Sequence, residues 1–141
     1  MGSSGKFPEQ WRHLATDFST ELPPESYTKS KTGQAVEADY AATGFMLISR
    51  SCIEEIIKAR PEIKYTNDID GYMEAGDNFY DIFQCKVNPD TKKYESEDYG
   101  FCKMWKSLGG EITVVPDISL GHRGFNTYYG NLKFQANYFN L

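Results

Sequence analysis

The sequence predicts an α/β domain with a short mixed sheet, two main helices and long loops. Two capped helical windows, at 52–59 and 97–108, carry that prediction. Short β-branched or aromatic runs at 45–48, 79–85 and 111–115 supply the strands. The length of 141 residues suffices for one domain with a modest core.

Taken in order, Met1-Gly2-Ser3-Ser4-Gly5 has no apolar stretch and reads as an expression leader over 1–5. Residues 6–34 hold a short helix at 8–14, entered through Pro8, and a flexible polar loop from Pro23-Pro24 to Gly33. The body of the fold spans 35–141 and ends in an aromatic tail. It opens with a strand from Ala35 to Tyr40. Thr43-Gly44 breaks the pattern before Phe45-Met46-Leu47-Ile48, an apolar run that predicts a buried strand. Ser51 with Glu54 three residues on is a capping box for the first helix, which presents Ile53, Ile56 and Ile57 on one face and stops at Pro61.

Residues 62–80 are acidic and glycine-bearing and predict a long loop. Phe79 to Cys85 alternates as a strand, and Asn88-Pro89-Asp90-Thr91 makes a turn. Ser96 caps the second helix, which Gly109-Gly110 closes. Its apolar stripe is Phe101, Cys102, Met104, Trp105 and Leu108, with Lys103 and Ser107 opposite and Glu97 and Asp98 on the margins. Glu111 to Val115 is a strand ended by Pro116, and Ile118 to His122 is a short strand or extended exit. The tail from Phe125 mixes aromatics and Asn with little period.

Composition narrows the function classes. A net charge of −5 argues against a reader of nucleic-acid phosphates, which carries a basic face. No apolar run approaches the roughly 20 residues that span a bilayer. Cys52, Cys85 and Cys102 are odd in number and lack a Cys-x-x-Cys pair, so a zinc cage is not expected. They predict reduced, buried, apolar thiols in a cytoplasmic setting. Ten Tyr, nine Phe and two Trp are enough to stack on sugars as well as to fill a core.

Four places hold the residue types that chemistry needs. Glu97-Asp98 sits on a helix N-terminus, which stabilises the carboxylate form that takes a proton from a hydroxyl; first-turn acids also simply favour a helix. His122 follows Gly121, and a neutral imidazole there suits a divalent ion or a structural hydrogen bond. Asp68-Ile69-Asp70 pairs carboxylates in a polar loop, where the plainer reading is solvated charge. Gly44 after Thr43 either lets a ligand approach the backbone or marks a bulge.

Thr43 to Arg50, Tyr94 to Trp105, Leu108-Gly109-Gly110 and Leu120-Gly121-His122 together resemble the C-terminal, acceptor-side half of GT-A-type glycosyltransferases. The similarity is closest to the bacterial and viral branch related to family 2 and covers roughly residues 35–124. It implies that Asp98 is the general base for an acceptor hydroxyl, with Glu97 beside it. It implies that His122 ligates Mn²⁺ or Mg²⁺, and that Thr43 and Gly44 line the donor-sugar pocket. Asp81 and Trp105 join the substrate-binding residues. The partners implied are a nucleotide-sugar donor and a glycan acceptor. The family's nucleotide-binding half, with its strand-terminal Asp-x-Asp, has no counterpart in residues 1–34. The resemblance therefore implies a fragment or subunit, with self-association through an exposed sheet face. The alternative is a non-catalytic glycan- or protein-binding module using Tyr128, Tyr129, Phe134 and Tyr138. A weaker third is a metal-dependent hydrolase built on Asp68, Asp70 and His122.

Overall fold

Strands are short in this molecule and helices form where capping and apolar spacing agree. The structure, a computed structural model, describes residues 20–21, 24–71, 76–125 and 127–138. In chain order these form β1 (Thr20–Glu21), α1 (Pro24–Ser30), β2 (Val36–Glu37), β3 (Tyr40–Ala41), α2 (Arg50–Ala59), β4 (Lys86–Val87), β5 (Tyr94–Glu95), α3 (Glu97–Ser107), β6 (Thr113–Val114), β7 (Leu120–Arg123), β8 (Thr127–Gly130) and α4 (Leu132–Tyr138). Two compact units result, a central one of Tyr40–Ile112 and a terminal one joining Met1–Asp39 to Thr113–Leu141. The class is mixed α and β. In place of one mixed sheet, β2 pairs with β6, β4 with β5 and β7 with β8 as separate antiparallel ribbons. Strands of two to four residues leave little to recruit a third partner. No helix among the described residues is long and apolar enough to cross a membrane.

In the central unit, α2 starts two residues before the expected boundary. Its cap is Ser49, whose Oγ accepts from the Cys52 amide at 3.1 Å; Ser51 lies inside the first turn. Glu54 does not complete a capping box but pairs with Arg50 at 2.8 Å. Cys52 and Ile56 are buried, while Ile53 and Ile57 are half-buried. The Arg60 amide closes the helix on the Ile56 carbonyl at 2.9 Å, and Pro61 opens a 3₁₀ turn that buries Ile63. Helix α3 buries Phe101 and Cys102. Gly109, at φ 85°, ends it in the left-handed region, and the Gly109 and Gly110 amides return to Lys106 and Trp105 carbonyls.

Two expected elements of this unit differ. Residues 45–48 are not a buried strand: Thr43–Phe45 is a 3₁₀ turn, and Phe45 and Leu47 are 73% and 99% exposed. Four apolar residues do not define a period, and no described strand pairs with them. Residues 79–85 form only one bridge, Lys64 to Tyr80, before the chain turns its Gln84 carbonyl toward Gly100. Cys85 is exposed, unlike the buried Cys52 and Cys102. The expected turn at 88–91 is present: Asn88 Oδ1 accepts from the Asp90 and Thr91 amides at 3.0 and 2.9 Å.

In the terminal unit, the loop expected from Pro23 to Gly33 contains α1, with Pro24 at its first position and Ser26 and Ser30 buried. The expected strand 35–40 is broken at Ala38-Asp39 into β2 and β3. The aperiodic tail is ordered as β8 and α4. Register across β7 and β8 sets Gly121 opposite Tyr129 and His122 opposite Tyr128. Asn131 starts α4 by accepting the Phe134 amide on its Oδ1 at 2.8 Å. Asn137 reaches from α4 to the Lys31 carbonyl at 3.2 Å, tying it to the end of α1. Val36, Leu132, Ala136 and Pro116 are buried here. The expected helix at 8–14 and the leader lie outside the described residues.

Candidate functional site

Two stretches singled out by sequence converge on the first two turns of α3. Strand β3 is held by a reciprocal contact in which the Ala41 amide donates to Cys102 Sγ at 3.5 Å and the thiol donates back to the Ala41 carbonyl at 3.4 Å. Tyr40 and Tyr99 add a ring pair at 5.0 Å. That fixes the start of the segment carrying Thr43 and Gly44. From another side, Phe83 stacks on Phe101 at 5.0 Å, and the Gln84 carbonyl sits against Gly100. A Cβ at Gly100 would lie 2.7 Å from that oxygen, so glycine permits the approach. The segment containing Asp81 is thereby anchored two residues downstream.

Asp98 is half-buried and oriented. Ser96 Oγ donates to its Oδ1, and the Tyr99 amide donates to the same oxygen at 2.8 Å. Ser96 makes no capping bond to the helix backbone, so its hydroxyl serves the carboxylate instead. Glu97 is exposed, not on the margin of the buried stripe, and receives Cys85 Sγ at 3.8 Å. Tyr94 bonds to that same thiol, which holds its phenol proton and raises its pKa. Sequence reading did not find the Ser96–Asp98 pair, because Ser before a helix ordinarily signals a cap. The one available sign of a crowded helix start was Gly100, a glycine inside a helical window.

The other expected residues are placed less suggestively. Thr43 is half-buried and Gly44 exposed, with open space where a Cβ would stand, so neither φ nor packing demands a glycine. Asp81 is exposed; its amide bonds to the Ile63 carbonyl at 2.9 Å and its carboxylate faces solvent. Trp105 donates its indole N–H to the Glu111 carbonyl at 3.0 Å and covers Gly110, where a Cβ would overlap the ring. Its polar atom is thus occupied by main chain. His122 is exposed on β7, in the terminal unit, whereas Asp98, Thr43, Asp81 and Trp105 belong to the central one.

The charged neighbour of the site is Glu95. Its buried carboxylate pairs with Lys103 and accepts from Asn88 Nδ2 at 2.9 Å. Lys103 first, then Asn88, hold the Glu95 pKa below the usual carboxylate range, and Glu95 raises that of Lys103. Burial pushes the Cys52 and Cys102 thiols up, with the charge of Asp98 adding to Cys102, which keeps both protonated and inert. Among the described residues no three His, Cys, Asp or Glu side chains gather into a cation site. His122, exposed and without two further ligands among the described residues, does not fit a Mn²⁺ or Mg²⁺ site. Asp68 and Asp70 are exposed loop residues. Comparison with known protein families, with curated proteins and with solved structures gives no match to this chain.

Proposed function

We propose that the chain is the acceptor-side part of a GT-A-like glycosyltransferase, with Asp98 as the general base for an acceptor hydroxyl. The observation that supports this reading is the Ser96–Asp98 pair. A carboxylate that only favoured its helix would need no hydroxyl on it. Here Oδ1 is taken by Ser96 and the Tyr99 amide, which leaves Oδ2 to receive a proton. In the proposed transfer, the acceptor oxygen attacks the anomeric carbon of a nucleotide-activated sugar. Its proton moves to Asp98 Oδ2 and the nucleoside diphosphate leaves. Tyr40 and Tyr99, half-buried against one another beside this carboxylate, offer ring surface to a pyranose. Mn²⁺ or Mg²⁺ belongs to the proposal through the resemblance alone, where such an ion would offset diphosphate charge; the described residues of this chain offer no set of ligands to hold it.

A second reading, a non-catalytic glycan-binding module, is favoured by exposure of Tyr129 and Phe134, at 60% and 43%. Calorimetry separates the two: a sugar nucleotide that binds only with Mn²⁺ supports transfer, and a glycan that binds without metal supports the module. Within the transferase reading, Asp98→Asn in the intact enzyme, with its nucleotide-binding half, lowers turnover by about 10²- to 10⁴-fold and leaves donor affinity unchanged. Near-normal turnover in that variant removes Asp98 from the role of base.

A further inference from the structure

The charges of this chain are unevenly spread. All 20 acidic residues lie at or before Asp117, so residues 118–141 carry none, while they do carry His122, Arg123 and Lys133. Lys133 is paired with Asp117 at 3.0 Å. Arg123, at the end of β7, is exposed and has no carboxylate partner among the described residues. In the antiparallel register of β7 and β8, Gly121 stands opposite Tyr129 and Arg123 opposite Thr127, and directly paired residues share a face. Tyr129 and Arg123 are therefore diagonal neighbours on one face of the hairpin, within reach of a common ligand.

The Tyr129 ring is placed by its neighbour. A Cβ at Gly121 would come 2.9 Å from Cε1 and 3.2 Å from Cδ1 of that ring, so the ring lies where only glycine admits it. It is nonetheless 60% exposed. An exposed aromatic surface seated over Gly121, beside a guanidinium without a carboxylate partner among the described residues and on an acid-free segment of an acidic chain, suits a ligand that is both a ring and an anion. The ring's apolar surface receives the C–H face of a pyranose, and the planar fork of Arg123 pairs with a carboxylate or phosphate.

We infer that this hairpin face is a binding platform for an anionic sugar, with Tyr129 as the stacking ring and Arg123 as the anion partner. The ligand chemistry is a pyranose bearing a carboxylate or phosphate, from a uronic acid of a glycan or from a sugar phosphate. The inference deepens the glycan-recognition part of the proposed function and does not depend on Asp98 being a base.

The test is ligand-observed NMR on the whole chain with methyl β-glucuronide, glucose 1-phosphate and methyl β-glucoside. The two anionic sugars are expected to bind about tenfold more tightly than the neutral one. Tyr129→Ala weakens both by about tenfold, Tyr129→Phe does not, and Arg123→Gln removes the preference for the anions. If Tyr129→Ala loses its circular-dichroism signature, Gly121→Ala displaces the ring instead and weakens binding in the same direction. A uronate response alone, or a sugar-phosphate response alone, identifies the source and upholds the platform. Equal binding of neutral and anionic sugars overturns the inference, as does inorganic phosphate binding as well as glucose 1-phosphate. So does a Tyr129→Phe loss as large as that of Tyr129→Ala. Transfer lost in Asp98→Asn with the hairpin unresponsive leaves the transferase reading standing; a responsive hairpin with turnover retained does the reverse.

Discussion

Helices α2 and α3 begin with the same residue type and use it in opposite ways. Ser49 accepts the Cys52 amide and so satisfies one of the open donors of α2. Ser96 donates to Asp98, and the helix start is served by the Asp98 carboxylate and the Tyr99 amide instead. At the fourth helical residue, α2 has half-buried Ile53, while α3 has Gly100 against the Gln84 carbonyl. The first turn of α2 thus answers to its own helix and that of α3 to its surroundings. A helix start whose polar groups are spent on orienting one carboxylate is organised around that carboxylate.

The largest expected effect on stability comes from the fourth position. In an isolated helix, Gly→Ala is stabilising by about 1 kcal/mol through propensity alone. At Gly100 the new Cβ meets a backbone oxygen 2.7 Å away, which cannot swing aside as a side-chain tip can. Overpacking of this kind costs about 1–3 kcal/mol, so Gly100→Ala is expected to reverse the sign and destabilise by about 1–2 kcal/mol net. Chemical denaturation measures it. A stabilised Gly100→Ala protein would remove the contrast between the two helix starts.

Next in size is the serine itself. Ser49→Ala removes a conventional cap and is expected to cost about 1 kcal/mol. Ser96→Ala removes no capping bond and should cost less than half of that, while it frees Asp98 to rotate. Thermal melts of the two variants check the order, and a larger loss at Ser96 than at Ser49 would show that Ser96 also supports the helix.

This pair explains how far the sequence could be read. Both helices were legible because apolar spacing and end signals act within one turn, and those are local quantities. The α3 boundaries fall within a residue of expectation; α2 starts two residues early because Ser49 and Ser51 both satisfy the same local rule. The buried strand at 45–48 was not there, since burial depends on what packs against Phe45 and Leu47, and sequence does not contain that. Helix α4 was hidden because its start signal, Asn131, lay among residues that also favour turns. The candidate base was visible as Asp98, but its tether was not, because Ser96 reads as a cap until the donor direction of its hydroxyl is known. Trp105 looked available for substrate, yet its indole N–H is bound to the Glu111 carbonyl.

The smallest expected effect contrasts the ion pairs near the two helix starts. Arg50–Glu54 on α2 is 88% and 61% exposed at its side chains, and pairs of this kind contribute little. Glu95, only 6% exposed, is paired with a partly exposed Lys103 and docks the β4–β5 hairpin on α3. Because Lys103 and then Asn88 lower the folded-state pKa of Glu95, its contribution is present above the ordinary glutamate value of 4.5 and is lost as pH falls through the lower folded value. The raised pKa of Lys103 works in the opposite direction: its share is present below 10.5 and fades as pH rises past the folded value. Glu95→Gln is therefore expected to flatten the acid limb of a stability–pH curve, by about 1 kcal/mol or less given the exposed lysine. Denaturation midpoints measured between pH 3 and pH 6 decide it. An acid limb as steep in Glu95→Gln as in the parent chain would mean that the pair beneath the α3 start is no more structural than an exposed surface pair.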